Sequence, residues 1–342
     1  MDIHFAYAYS YLGKRKRKIN IYMNKLSIKE LKREYDANFV PSQEYLDSMP
    51  DLQNGQFIGK PIEWVGITNF KMPVKIAQKD GGSQMVTASI SGNVSLEADK
   101  AGINMSRLIR TAYKSKDDTF SIDELEKVLR NYKKDLNSFD AHILMNFEYS
   151  LWQDALRSKK DDGTPEGGWQ FYNITFDVNL DKNDEFKKIM WVDFVYSSAC
   201  PCSTALSIHA GETRGVYGIP HSQRSVARIG VEFKDFIWIE DIIDMCREQL
   251  QTETLVFCKR QDEQGFAEKN GANVKFVEDA IRLIATGLNN MPEVIDFKAV
   301  VQHVESLHSH SAVASITKGV PGSIFNHHVG VEFYRDMAHS IA

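Results

Sequence analysis

Ile189-Met-Trp-Val-Asp-Phe-Val-Tyr196 is an almost continuous apolar run, and it predicts a buried β-strand at the centre of the chain. The alternating stretch Ser225-Val-Ala-Arg-Ile-Gly-Val-Glu-Phe233 predicts a second strand. Between the two strands, Cys200-Pro-Cys202-Ser and then His221-Ser-Gln-Arg-Ser place thiol and imidazole side chains on a predicted turn. Loops at strand ends often carry functional residues. The sequence therefore predicts a sheet with a chemical site at one end of its strands.

Strand and helix patterns recur in the same order on both sides of this centre. In the first half, strand patterns at 62–70, 73–76 and 85–96 precede helical patterns at 104–114 and 121–136, and strand patterns follow at 141–152 and 169–180. In the second half, the two strands above precede helical patterns at 239–250 and 274–290, and strands follow at 293–304 and after residue 308. This order predicts an α+β fold of two tandem modules, each strand-strand-helix-helix-strand-strand, with antiparallel sheets and helices on one face.

The predicted boundaries divide the chain into three parts: an N-terminal arm with a short helix over 1–60, a first module over 61–184, and a second module over 185–342 that carries most candidate site residues. In the arm, Lys14-Arg-Lys-Arg-Lys18 is a basic run that we interpret as a solvated segment with no assigned function. Ser27–Tyr35 is typical of a short capped helix.

Composition gives no sign of a nucleic-acid-binding protein, a membrane protein or a disulfide-rich secreted protein. Forty-one basic and 46 acidic residues give a formal charge of −5, which offers no general attraction for nucleic acid or for a membrane surface. We find no membrane-spanning stretch and no secretory signal, so we expect a cytoplasmic protein. Four cysteines in a chain of 342 residues do not make a disulfide scaffold. We expect Cys246 and Cys258 to be inert core residues.

A set of metal-binding side chains is the sharpest chemical signal. Cys200 and Cys202 flank a proline, which on a turn directs one thiol inward. His221 begins the next strand, and antiparallel pairing would return it to the same end of the sheet. Lys259-Arg-Gln-Asp-Glu263 offers a carboxylate. Thiolate, imidazole and carboxylate suit Zn²⁺ and tolerate Mn²⁺ or Fe²⁺, although a buried cysteine pair, a capped histidine and a solvated loop would produce the same pattern.

Two further groups of polar residues stand out. Glu305-Ser-Leu-His308-Ser-His310 follows a predicted strand, where strand alternation would place both histidines on one face. Such a cluster serves either as acid and base groups or as an exposed polar strand end. Glu278 lies near the start of a predicted helix, where a carboxylate also simply favours the helix dipole.

Taken in order, these motifs resemble those of the type IB GTP cyclohydrolases. The resemblance extends to the first module, through Met49-Pro-Asp-Leu-Gln53 and through Lys100-Ala-Gly-Ile-Asn-Met-Ser-Arg107, and it covers roughly residues 49–333. The family implies a tandem tunnelling fold and a homotetramer with its sites between subunits. It also implies GTP as substrate, with 7,8-dihydroneopterin triphosphate and formate as products, for the folate pathway or for modified nucleosides such as queuosine.

The resemblance also assigns roles to residues. Cys200 would act in catalysis as a ligand of a divalent ion (Zn²⁺, Mn²⁺ or Fe²⁺) together with His221 and Glu263, and Glu278 would bind the guanine edge. Proton transfer would fall to the cluster Glu305, His308 and His310. The triphosphate needs cations, and those nearest in sequence are Arg224, Lys259 and Arg260.

The chain departs from the family pattern at three places. The link between the cysteines and His221 is longer and contains His209, which makes His209 a rival ligand. Asn104 stands where the family has histidine, and Gln261 stands where it has proline. Two other functions stay open: a metal-free nitrile reductase of the same fold, with Cys200 or Cys202 as nucleophile and NADPH as reductant, and a non-catalytic purine- or pterin-binding module.

Overall fold

The computed structural model describes residues 35–49, 58–116, 119–323 and 325. The basic run Lys14–Lys18 lies outside these residues, as do all but the last residue of the predicted helix Ser27–Tyr35 and all but the first residue of Met49–Gln53. Predictions about these segments therefore stay predictions.

Strands and helices alternate in groups along the described chain. The strands are β1 (Ile62–Ala77), β2 (Ser83–Leu96), β3 (Thr119–Phe120), β4 (Ala141–Lys159), β5 (Pro165–Leu180), β6 (Phe186–Ala199), β7 (Ser222–Phe233), β8 (Val294–His303) and β9 (Ala312–Thr317). The helices are α1 (Gln43–Asp47), α2 (Met105–Ala112), α3 (Ile122–Leu136), α4 (Pro201–Arg214), α5 (Ile239–Leu250), α6 (Arg260–Ala272) and α7 (Val277–Asn289), with a 3₁₀ turn at Tyr113–Ser115.

In the described residues the strands form one nine-stranded sheet, in the order β3-β1-β2-β4-β5-β6-β7-β8-β9. Neighbouring strands are antiparallel, except that β3 pairs in parallel with β1. This arrangement confirms the predicted α+β class with a large, mostly antiparallel sheet. None of the helices in the described ranges combines the length and the apolar character needed to cross a bilayer.

Alternation along the strands separates a helix-covered face from a polar face. In β6, the side chains of Met190, Val192 and Phe194 are buried in the core that α2, α3, α5 and α7 also join. Asp193 points to the opposite face, where its carboxylate accepts two hydrogen bonds of 2.7 Å from the Arg228 guanidinium. Successive side chains of a strand point to opposite faces, which produces this division.

Side-chain caps fix several helix starts. The Ser121 hydroxyl accepts a hydrogen bond from the Glu124 backbone N–H (3.2 Å) at the start of α3. Asp241 and Asp279 each accept from the backbone N–H three residues earlier, at the starts of α5 and α7. Such bonds satisfy N–H groups that the first helical turn leaves without partners.

Helices α4 and α6 were not predicted, and the prediction of a turn after Cys200 is wrong. Helix α4 buries none of its residues, and α6 buries only Asp262 and Gly265. Neither sequence therefore carries the apolar periodicity from which helices are recognised. The prediction for Cys258 is also wrong: Cys246 is buried, but Cys258 is exposed on the segment that precedes α6.

A polar contact lies inside the core at the end of β8. The Tyr196 hydroxyl lies 2.8 Å from His303 Nε2, and both side chains are buried. Burial, with a smaller contribution from the positive charge of Lys275, lowers the pKa of His303 to about 4. Lys275 is itself buried, and burial lowers its pKa to about 8. His303 is therefore neutral near pH 7.

Two leucines of α7 provide a matched test of the core. We expect Leu288→Ala, at a fully buried position, to lower the free energy of unfolding by about 2–5 kcal/mol because it leaves a cavity. Leu283→Ala, on the exposed side of the same helix, should change it by less than about 1 kcal/mol. Urea unfolding of both variants measures the difference, and equal losses would contradict the described packing of α7.

His303 should make stability depend on pH in acid. Its folded pKa of about 4 lies below the ordinary value of 6.5, so the unfolded chain binds more protons between these values. The free energy of unfolding should therefore fall as the pH drops through this window, by roughly 3 kcal/mol from this residue. His303→Gln keeps an acceptor for Tyr196 but does not titrate. Its urea unfolding should show a shallower pH dependence than wild type, and identical slopes would contradict the assignment.

Candidate active site at the ends of β6 and β7

The antiparallel pair β6 and β7 brings Cys200 and His221 together. The last pair of the ladder is Ala199 with Ser222, and the Cys200 backbone N–H then donates to the His221 carbonyl (3.3 Å). Cys200 is the N-cap of α4, with a proline at the first helical position, where its missing N–H costs nothing. The two residues, 21 positions apart in the chain, therefore lie side by side at one end of the sheet.

Glu305 approaches the same point from the end of β8. The Val304 N–H donates to the Arg224 carbonyl (3.3 Å), which aligns the chain after β8 with β7. Glu305 Oε2 lies 3.2 Å from His221 Nδ1, which is also 3.2 Å from Gln223 Oε1. This carboxylate oxygen is buried and accepts no well-formed hydrogen bond from the described residues. A buried carboxylate oxygen without a hydrogen bond is costly, so the position favours a cation or a hydrogen-bond donor of a ligand.

His308 and His310 lie on the loop between β8 and β9. Their rings stack with centroids 4.8 Å apart and an angle of 8° between the planes, and both residues are exposed. Strand alternation does not place them, because β8 already ends at His303. The loop nevertheless keeps the two imidazoles together, a few residues beyond Glu305.

The start of α7 also reaches the end of β6. The Lys275 backbone N–H donates to the Ala199 carbonyl (3.3 Å), directly before Cys200. Asp279 accepts the capping hydrogen bond from the Phe276 N–H, and Glu278, in the same first turn, is exposed. Sequence reasoning overlooked Lys275, because nothing in the local sequence indicates that this lysine is buried.

Glu263 belongs to α6, where its neighbour Asp262 is buried and Glu263 itself is exposed. Burial raises the pKa of Asp262. Hydrogen bonds from the Ser158 side chain and from backbone N–H groups outweigh that effect and hold the pKa well below its usual range. Lys259 forms an ion pair with Glu166 (2.6 Å between Nζ and Oε2), and Arg260 begins the helix.

The predicted ligands are gathered only in part. Cys200 and His221 are adjacent, and His209 is exposed on α4. Across the described ranges, no group of three or more His, Cys, Asp and Glu side chains is arranged to hold a metal ion. The donor types of Cys200 and His221 fit a divalent transition metal, but Glu263 does not complete a site with them in the described chain.

A uricase from Bacillus fastidious matches 82% of this chain and 96% of its own, with 9% identity and a TM-score of 0.49. A mutant of the uricase AgUricase covers 78% of this chain and 94% of its own, also at 9% identity, with a TM-score of 0.48. Likeness this weak supports no conclusion about function.

Sequence relatives are much closer. A protein from Paracoccus denitrificans named GTP cyclohydrolase FolE2 is 46% identical over 295 residues, which cover 84% of this chain and 90% of the relative. A protein of the same name from Dinoroseobacter shibae is 46% identical over 298 residues, covering 84% of this chain and 79% of the relative. The sequence model described as type I GTP cyclohydrolase folE2 matches residues 49–314, a range that includes every candidate site residue discussed above. The chain therefore belongs to the type I GTP cyclohydrolase folE2 family.

Proposed function

We propose that this protein is a type IB GTP cyclohydrolase that converts GTP into 7,8-dihydroneopterin triphosphate and formate, the first step of pterin and folate synthesis. The observation that carries the proposal is the convergence of Cys200, His221 and Glu305 at the ends of three neighbouring strands. The relatives named GTP cyclohydrolase FolE2 support GTP as the substrate.

Opening the imidazole ring of guanine begins with addition of water at C8. Glu305 is positioned to take a proton from that water, because its buried oxygen has no hydrogen-bond donor among the described residues and lies beside His221. His308 and His310 carry imidazoles on the same loop and would deliver a proton to N7 as water attacks C8. A second water releases formate, and the opened sugar then closes on the freed amine.

We assign substrate recognition to exposed charged residues of α7 and β7 and at the start of α6. The exposed carboxylate of Glu278 would accept hydrogen bonds from guanine N1–H and from the exocyclic amine, an arrangement in which both oxygens are used. Arg224, Lys259 and Arg260 are exposed cations that would contact the triphosphate.

A divalent ion, Zn²⁺, Mn²⁺ or Fe²⁺, would be held by Cys200 and His221, with Glu263 as the third protein ligand. When bound, such an ion makes an attacking water more acidic. The support for this assignment is the adjacency of the first two residues and the chemistry of the donor set. Joining Glu263 to the pair requires α6 to move or the subunits to assemble.

Self-association would complete the protein as a homotetramer of tandem tunnelling-fold modules, with module boundaries near residues 61, 185 and 342. The exposure of α4 supports this part of the proposal. The helix buries no residue, although Leu206 is 69% exposed and Tyr217 in the following segment is 88% exposed. A helix of this length is only marginally stable in water without packing, so we expect a second subunit to pack against α4.

The reaction itself is directly testable. Purified protein supplied with Zn²⁺, Mn²⁺ or Fe²⁺ should convert GTP into a product that fluoresces as neopterin after oxidation. Glu305→Gln should lower kcat by about 10²–10⁴-fold because it removes the proposed base, and Cys200→Ala should abolish turnover. Glu248→Gln, an exposed glutamate on α5, serves as the matched control and should leave the rate unchanged. Absence of product with every ion would overturn the proposal and favour an assay of NADPH-dependent nitrile reduction.

The role of α4 in assembly has its own test. Leu206→Glu should reduce the mass measured by size-exclusion chromatography with light scattering, because it places a charge in the proposed contact. Leu283→Glu is the control, since α7 already buries its apolar face within the subunit. A monomeric wild type, or an unchanged mass for Leu206→Glu, would show that α4 is not an assembly surface.

A further inference from the structure

An irregularity in the β4–β5 hairpin turns two backbone N–H groups away from the strand ladder. The ladder is regular up to the pair Asp154 and Gly167 and resumes only at Lys159 and Pro165. Within the gap, the N–H groups of Arg157 and Ser158 leave the ladder and donate to Asp262 Oδ1, at 2.7 and 3.0 Å. A β-bulge typically re-aims groups in this way.

Asp262 is satisfied on both oxygens. Its Oδ2 accepts from the Lys259 backbone N–H (2.9 Å) and from the Ser158 hydroxyl. Gln261 Nε2 donates in turn to Ser158 Oγ (3.0 Å), so the residue that replaces the family's proline belongs to the same network. Asp262 and Ser158 are buried. A buried carboxylate is tolerated only with several well-placed donors, and four donors fill its capacity.

Contacts on both sides extend this connection. Gln153 donates from Nε2 to the Thr254 carbonyl (3.0 Å) and accepts from the Val256 N–H (3.1 Å). Within the bulge, the Arg157 side chain also forms an ion pair with Glu268 of α6. The hairpin, which belongs to the first half of the chain, therefore fixes the segment that leads into α6.

Other helices show that capping alone does not require this arrangement. Asp241 occupies the same third helical position in α5 and accepts the same bond from its N-cap residue, Trp238. Yet it remains partly exposed and accepts no backbone N–H from a distant strand among the described contacts; its other partner is Lys79. The donors that Arg157 and Ser158 provide to Asp262 are therefore not needed for the helix cap alone.

We propose that Asp262 is a positioning residue, which locks the bulge of the β4–β5 hairpin to the start of α6 and so sets the placement of Lys259, Arg260 and Glu263. This inference rests on the proposed function for the meaning of those three residues. Asp262 directly precedes Glu263 and accepts from the N–H of Lys259, so its anchoring fixes the backbone on both sides of Arg260. The first half of the chain thereby becomes part of the site carried by the second half.

Asp262→Asn tests the lock, because the amide nitrogen would face donors that now meet a carboxylate. We expect the KM for GTP to rise by about 10–100-fold, as is typical when a supporting contact of a site is lost. Amide hydrogen exchange should accelerate at residues 155–160 and 259–265 and stay unchanged elsewhere. Ser158→Ala removes one of four donors, so it should shift the same readouts in the same direction by a smaller factor, although it lies on the hairpin.

Asp241→Asn is the matched control, since it weakens an equivalent helix cap on α5, which carries no candidate site residue. It should lower the melting temperature without changing the KM for GTP. An Asp262→Asn variant with wild-type KM and wild-type exchange at both segments would overturn the inference, as would exchange that accelerates throughout the sheet. If the wild type makes no product from GTP, the proposed function fails, and the exchange comparison with Asp241→Asn alone decides whether Asp262 holds the two segments together.

Discussion

The antiparallel pairing of β6 with β7 is the constraint on which the rest of the structure depends. Its register runs from Ile189 opposite Glu232 to Ala199 opposite Ser222, and it buries one face of each strand in the core. A slip of one residue would turn every buried side chain of a strand to the other face, so the apolar pattern holds the register firmly. The same register places Cys200 beside His221, which means that packing energy in the core determines the geometry of the candidate site.

Residues that follow local rules were predictable, and those placed by distant contacts were not. Strand alternation and apolar periodicity located most strands and the helices α2, α3, α5 and α7, and antiparallel return correctly suggested that His221 would lie near Cys200. Helices α4 and α6 have almost no buried face, so their sequences lack the apolar periodicity that predicts a helix. Cys258 carried no local sign of its exposure.

Buried polar groups form a second class that sequence patterns do not reveal. Nothing in the local sequence distinguishes Lys275 from a surface lysine, yet its side chain is buried, and this burial lowers its pKa. His303 and Tyr196 meet although 107 residues separate them in the chain. In the sequence, Asp262 is one acidic residue in a charged run, whereas three of its four donors come from the bulge of the β4–β5 hairpin. In each case the decisive partner is remote in sequence, so only the assembled fold defines the chemistry.

The backbone hydrogen bond between Cys200 and His221 has a consequence for how this part of the chain can change in length. This hydrogen bond joins the two ends of the segment that contains α4, so the ends of β6 and β7 stay together when that segment changes in length. The entropy of closing such an excursion grows only slowly with the number of residues it contains. Residues can therefore be gained or lost in α4 and the segment after it at little thermodynamic cost to the pair below. Distance along the sequence is thus a poor guide to whether two such side chains act together.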